Sequence, residues 1–196
     1  MIITESQIKK NKETFLQLCK ENIKRDGIDI LLNRLQDSDF FIAPCSTKYH
    51  LNIRGGLCAH SLNVYQVLLE LCGQFNVNIV ENLETLTIVA LFHDYCKADF
   101  YKTEMKSVKE GFQWITKPVY VVNDNEPLGH GEKSLYLIAR CIDLTVEEAC
   151  AIRWHMGPYD NAYKGGEQAF NTASEKYDLV TLLHAADLLA TKFLEK

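Results

Sequence analysis

The chain has 196 residues, of which 47% are hydrophobic and 24% are charged, and its formal net charge is −5. This length and composition predict an ordinary globular protein with a single domain over residues 1–196. The acidic balance argues against a protein that wraps long nucleic acid, and no apolar run reaches the roughly 18 residues of a membrane span.

The cysteines and the first residues indicate where the chain works. Residues 1–6 show no basic region followed by an apolar run, so a secretory signal is not expected. The seven cysteines are an odd number without a C-x-x-C pair. Most lie in apolar helical contexts, where a free cysteine behaves as a small hydrophobic residue. A reduced, cytoplasmic setting is therefore predicted.

The first half of the chain predicts helices separated by one irregular segment. Apolar residues recur at a helical period, and Gly73 can end the third helix. Pro44 and two glycines predict irregular backbone over residues 40–56. The predicted helices cover residues 5–25, 28–35, 57–73 and 82 or 84 to 96.

The second half predicts a β-hairpin and three more helices. The β-rich runs 112–115 and 119–122 flank Thr116-Lys117-Pro118 and predict a two-stranded hairpin. The helices are expected over residues 129–142, 145–156 and 174–193, with a polar loop over 157–171. The predicted fold class is all-α, a helical bundle with a hairpin insertion around residues 112–122. Helices within residues 1–38 would pack on a core of residues 39–190.

The pair His93-Asp94 is the most informative feature, because it ends the apolar run 86–92. Burying a carboxylate and an imidazole together is costly unless a partner compensates, and a metal ion is the common partner for these residue types. Asp187 poses the same problem among alanines and leucines. Residues in similar settings complete a set of six candidate metal ligands: His60, His93, Asp94, His130, His155 and Asp187.

The chemistry of these residues predicts two divalent ions. Imidazoles and carboxylates without thiolate favour Mn, Fe, Mg, Zn, Co or Ni. Six ligands are too many for one catalytic ion with an open position, but they suit two ions that share a carboxylate. Two-metal sites clamp the attacking and leaving oxygens in phosphoryl transfer.

In order and local context, these segments resemble the HD-domain superfamily of metal-dependent phosphohydrolases. They resemble most the branch in which two additional histidines build a second metal site. The similar contexts are Gly55-Gly56-Leu57 before His60, Leu91-Phe92 before His93-Asp94, Gly129-His130 and Ala186-Asp187. The resemblance implies one metal held by His60, His93, Asp94 and Asp187, and a second held by Asp94, His130 and His155.

The resemblance also implies catalytic roles for Asp94 and Lys97. Lys97 matches a lysine, three positions after the aspartate, that faces the substrate phosphate in many members. The chain departs from the family by having Cys96 where glycine is frequent, and Met156 where several relatives have a second histidine.

Five further residues are predicted with less support. His50, Tyr159, Tyr163 and Lys164 are candidate substrate contacts, although each is also compatible with an ordinary loop surface. His184 shares a helix face with Asp187, and a packed or supporting histidine is favoured over a ligand.

Three functions remain open at the level of sequence. The first is a phosphohydrolase or phosphodiesterase that uses metal-activated water on nucleotides or short oligonucleotides. Its partner would be a small phosphorylated substrate, with neither long nucleic acid nor a membrane. The second is a di-iron oxygenase of the same helical type, and the third is a metal-stabilised binding module without turnover.

Overall fold

The computed structural model describes residues 2–195 and consists mainly of helices. A two-stranded antiparallel sheet projects from the helices. The helices are α1 Glu5–Asn22, α2 Ile28–Asp37, α3 Gly56–Gln74, α4 Ile79–Phe92, α5 His130–Ala139, α6 Val146–Trp154, α7 Asn161–Lys164, α8 Ala169–Lys176 and α9 Asp178–Leu189; the strands are β1 Tyr101–Glu110 and β2 Gln113–Val122. The predicted all-α class with a small hairpin is confirmed. Within residues 2–195, no helix combines the length and the apolar character needed to cross a bilayer.

Helix α3 lies at the centre and contacts α1, α4 and α9. Its neighbour α4 is buried throughout its second half, residues 86–92, where all residues except Thr87 are apolar. Phe15 of α1 is fully buried and makes edge-to-face contacts with Phe40, Phe41 and Phe92 at centroid distances of 5.3 to 5.5 Å. The N-terminal helix therefore packs on the helices that carry the candidate ligands.

A buried ion pair joins the segment after α1 to α4 and α6. The guanidinium of Arg25 donates to both carboxylate oxygens of Glu148 at 2.6 Å, and Thr85 donates to the same carboxylate at 2.7 Å. Glu148 also accepts from the backbone of Thr145, and the Thr145 hydroxyl accepts from the Glu148 backbone. Thr145 and Glu148 thus form a capping box at the start of α6, and this glutamate also holds three segments together.

The predicted hairpin has its turn in the wrong place. Residues 113–115 and 119–122 of the two runs belong to one strand, β2, and the turn is Gly111-Phe112, so the hairpin spans 101–122. Pro118 lies inside β2 opposite Met105. Both strands of a two-stranded sheet are edge strands. Proline has no backbone N–H to donate, and it is tolerated on an edge strand because no further strand pairs with it there.

The predicted C-terminal helix is also wrong, because it is divided. Tyr177 has extended backbone, φ −132° and ψ 108°, and separates α8 from α9. Residues 190–194 then continue as a π-helical turn. Phe170 of α8 lies against Trp154, at a centroid distance of 6.2 Å. The segment predicted as a polar loop over 157–171 contains a 3₁₀ turn, α7 and the start of α8.

Candidate metal centre

Helix ends bring the six candidate ligands to one centre. His60 lies in the first half of α3, His93 follows the last residue of α4, and Asp187 lies on α9. His130 is the first residue of α5, and His155 follows α6. His60, His93, Asp94 and His155 are buried, whereas His130 and Asp187 are partly exposed.

The two carboxylate oxygens of Asp94 face two different groups of histidines. Its Oδ2 lies 3.5 Å from Nε2 of both His60 and His93. Its Oδ1 lies 2.9 Å from Nε2 of His130 and 3.6 Å from Nε2 of His155. The second carboxylate of the set, Asp187, contacts His60: its Oδ1 lies 3.3 Å from His60 Nε2. This arrangement places Asp94 between two groups of ligand atoms, as a bridging carboxylate requires.

Hydrogen bonds on the far side of the rings orient two of the histidines. His93 Nδ1 donates to the Ala90 carbonyl at 2.8 Å, and His155 Nδ1 donates to the Ile152 carbonyl at 2.7 Å. A proton on Nδ1 leaves Nε2 with a free lone pair directed at the centre. Metal-binding histidines commonly have such an outer partner, which fixes both tautomer and ring orientation.

His60 is oriented by Glu195, a residue that the sequence analysis missed. His60 Nδ1 donates to the Glu195 carboxylate at 2.9 Å, and Asn63 donates to the same carboxylate at 3.0 Å. The Glu195 side chain is fully buried. Nothing in the local sequence distinguishes Glu195 from a surface glutamate, so it could be found only from the fold.

Three buried atoms in the centre have no hydrogen-bond partner among the described residues: Asp94 Oδ1, His130 Nε2 and His155 Nε2. The first two lie 2.9 Å apart without forming a hydrogen bond. A buried polar group without a partner costs about 1–3 kcal/mol, and more when it is charged. A divalent cation between these atoms would satisfy all three, so the residues fit a metal ion.

Electrostatics favours the metal-binding protonation state at His93, Asp94 and Asp187. Burial lowers the pKa of His93 to about 3, so its ring is neutral. Burial alone would raise the pKa of Asp94, but Lys97 and His93 outweigh it and hold that pKa well below its ordinary value. The pKa of Asp187 is likewise lowered, because His60 outweighs the effect of burial.

At His60 and His130, burial lowers the pKa, but neighbouring cysteines and carboxylates outweigh it and raise that pKa. A cation would therefore have to displace a proton from each ring.

Lys97 lies beside the centre, at the floor of a cleft. Its Nζ is 2.6 Å from Asp94 Oδ2. Although burial favours the neutral amine, Asp94 and neighbouring groups raise the pKa of Lys97 well above its ordinary value. Lys97 is therefore a fixed positive charge next to the ligands.

The cleft above the centre has a volume of about 880 Å³. Among the predicted substrate contacts, His50, Lys97 and Tyr159 line it, together with Tyr49 and Lys192, which were not predicted. Tyr163 and Lys164 lie outside the cleft lining. Tyr163 packs edge-on against Phe170, at a centroid distance of 5.5 Å. His184 lines the cleft and donates from Nδ1 to the His155 carbonyl at 2.8 Å, so it supports His155.

Two cysteines adjoin the centre, although the predicted donors are imidazoles and carboxylates without thiolate. Cys96 Sγ lies 3.2 Å from His130 Nδ1, and Cys45 Sγ lies 3.3 Å from His50 Nε2. Both could reach an ion together with neighbouring histidines and carboxylates. Burial raises the pKa of Cys45 to about 11, which favours the neutral thiol.

The sequence model of the HD domain matches residues 57–192, well over half of the chain. The chain belongs to the HD domain family. The matched HD domain contains all six candidate ligands and Lys97, and members of the family are in general metal-dependent hydrolases. Glu195 lies beyond the matched residues. No curated protein and no solved structure matches the chain.

Proposed function

We propose that this HD domain is a metal-dependent phosphohydrolase or phosphodiesterase that acts on nucleotides or short oligonucleotides. The observation that carries the proposal is the position of Asp94, whose two oxygens face separate histidine groups beneath an open cleft. Two-metal sites of this kind are suited to phosphoryl transfer.

The ligands divide into two groups around Asp94. His60, His93 and Asp187 would hold one cation with it, and His130 and His155 would hold the second. Divalent ions such as Mn, Fe, Mg, Zn, Co or Ni suit these donors. When bound, such ions would lower the pKa of a water molecule and take up the negative charge that develops on the phosphate oxygens.

Lys97 would bind the phosphate itself. It is protonated, it lines the cleft, and it is anchored 2.6 Å from Asp94. A lysine in this position supplies a point charge for a phosphate oxygen next to the metal ligands. We assign Asp94 and Lys97 as the catalytic residues on this basis.

The cleft also has room and side chains for a nucleoside. Tyr49 and Tyr159 are exposed at its edge, and exposed aromatic rings are suitable surfaces for stacking a base. His50 lies deeper, next to Cys45. These residues would contact the sugar and base, whereas Lys97 contacts the phosphate.

Chelation and metal reconstitution test the proposal directly. The protein is treated with EDTA, reloaded with Mn²⁺, and assayed on bis-p-nitrophenyl phosphate and a panel of nucleotides and dinucleotides. We expect phosphoester hydrolysis that disappears with EDTA and returns with Mn²⁺. Asp94→Asn should reduce the rate by about 10²–10³-fold or more, whereas Asp26→Asn, at an exposed position, should not.

Lys97→Ala separates phosphate binding from metal binding. It should lower hydrolysis by about 10²-fold while leaving the Mn²⁺ content unchanged, and the exposed Lys102→Ala is its matched control. Failure of the whole panel with fully loaded protein would overturn the proposal. A tightly held di-iron centre that consumes O₂ would overturn it in favour of an oxygenase.

A further inference from the structure

One face of the hairpin begins at the cleft and continues to the tip of the hairpin. In the register of β1 and β2, Tyr101 pairs with Val122 and Lys109 with Trp114. The odd-numbered residues of β1 and the even-numbered residues of β2 therefore share one face, which we call the cleft face. Tyr101 and Val122 at its base both line the cleft, and the Tyr101 hydroxyl donates to the Cys45 carbonyl at 3.2 Å.

Three large apolar side chains on the cleft face are exposed to solvent. Trp114 is 70% exposed, Met105 is 64% exposed and Val122 is 55% exposed. Solvent-exposed large side chains arranged along one face mark a binding surface more often than isolated ones do. The face contributes nothing to the hydrophobic core that the structure describes.

The positions of the carboxylates distinguish the two faces of the hairpin, although lysines lie on both faces. Within the two described strands, the cleft face has no acidic residue and one cation, Lys109. Both glutamates lie on the opposite face, where Glu104 pairs with Lys102 and Lys106, and Glu110 pairs with Lys117. In a chain with a net charge of −5, a face free of carboxylates is compatible with a polyanion.

We propose that the cleft face is a stacking surface for a single-stranded oligonucleotide whose scissile phosphate lies in the cleft. Aromatic side chains beside a cation are the usual means of binding single strands without sequence preference. From Val122 to Trp114 the face extends about 27 Å, at about 3.4 Å per residue. That length matches about eight stacked nucleotides at about 3.4 Å each. The inference rests on the proposed function and narrows its substrate to short oligonucleotides.

Binding without catalysis tests the proposal. The full chain in EDTA is titrated with a fluorescein-labelled thymidine octanucleotide and, separately, with the dinucleotide. We expect the octanucleotide to bind at least tenfold more tightly and to quench the fluorescence of Trp114. The second tryptophan, Trp154, is 7% exposed and should respond little.

Matched variants on the same hairpin isolate the face. Trp114→Ala and Lys109→Ala should each remove most of the tenfold advantage of the octanucleotide. Phe112→Ala, in the turn and fully exposed, and Lys106→Ala, on the opposite face, should leave the affinity unchanged. All four positions are exposed, and circular dichroism checks that each variant is folded.

The outcomes separate this inference from the proposed function. If the octanucleotide binds no better than the dinucleotide, or if Trp114→Ala behaves like Phe112→Ala, the stacking surface is refuted even when bis-p-nitrophenyl phosphate is hydrolysed. If Trp114-dependent binding occurs without hydrolysis, the surface is supported and the enzyme proposal fails. A Trp114-dependent dimer in sedimentation, without octanucleotide binding, would show that a second copy covers the face.

Discussion

Glu195 is the residue whose contribution the fold reveals most clearly. Its buried carboxylate accepts the Nδ1 proton of His60, and Asn63 fixes it from the side. The acceptor keeps Nε2 of His60 directed at the centre. Glu195 would therefore act on the proposed metal site through His60, as a positioning residue.

Removing this acceptor should weaken the first metal site. We expect Glu195→Ala to lower its Mn²⁺ affinity by about 10–100-fold, measured by titration calorimetry. Glu195→Gln retains a carbonyl acceptor for His60, so its loss should be smaller. Exposed Glu175→Ala is the control. Equal affinities for Glu195→Ala and Glu175→Ala would contradict the role.

The sequence predicts functional residues best where a polar side chain lies among apolar neighbours that are expected to be buried. His93, Asp94 and Asp187 stand out because their apolar neighbours predict burial, and the structure brings them together with His60, His130 and His155. Glu195 and Cys45 could not be found in this way. Their local sequences are ordinary, and their proximity to the histidines arises only from tertiary packing.

At the level of elements, the Arg25–Glu148 pair holds α4 and α6 to the segment after α1. Burial alone would raise the pKa of Glu148, but the hydrogen bonds from Arg25, Thr85 and Thr145 outweigh it and lower that pKa. A carboxyl whose pKa is lower in the folded state stabilises the fold above its unfolded pKa of about 4.3. That stability is lost as the pH falls through the lower, folded value.

Glu148→Gln should therefore destabilise the protein in a pH-dependent way. We expect a loss of about 3 kcal/mol in the free energy of unfolding at pH 7, because Arg25 loses its buried charged partner. The difference from wild type should be constant above about pH 5 and shrink below about pH 4. Urea unfolding in EDTA measures it.

Glu84→Gln is the matched control for this pair. Glu84 also contacts Arg25, at 3.5 Å, but its side chain is 34% exposed, so the loss should stay below about 1 kcal/mol. If Glu148→Gln costs no more than Glu84→Gln, or if its effect is independent of pH, the buried pair is not a stabilising clamp.

The element boundaries show where local sequence is insufficient. The residues of β1 are mostly charged or polar and carry little β propensity, so the sequence predicts strands only within β2 and places the turn at Pro118. Neither glycine nor proline lies near the break at Tyr177, so the local sequence does not predict it. Packing of Phe170 on Trp154 accompanies it, and that contact is not visible in the sequence.

At the scale of the whole molecule, the centre joins α3, α4, α5, α6 and α9. A cation that binds only when these helices are assembled must stabilise the fold. With Mn²⁺ at about 100 times the dissociation constant, each occupied site adds about 2.7 kcal/mol. For a chain of this size, we expect each occupied site to raise the melting temperature by about 5–10 °C over that in EDTA.

Differential scanning calorimetry measures this shift, and Asp187→Ala should reduce it by removing one ligand of the first site. The exposed Asp178→Ala should show the full shift. An identical melting temperature with and without divalent cations would show that the buried histidines and carboxylates do not bind metal at these concentrations.

The central claim is that Asp94 lies between two cation sites. Calorimetric titration of the EDTA-treated, dialysed protein with Mn²⁺ tests it most directly. The account predicts two equivalents per chain for the wild type and one for His155→Ala, whose Nε2 lies on the Oδ1 side of Asp94, at 3.6 Å. A single equivalent in the wild type, or two equivalents retained in His155→Ala, would contradict it.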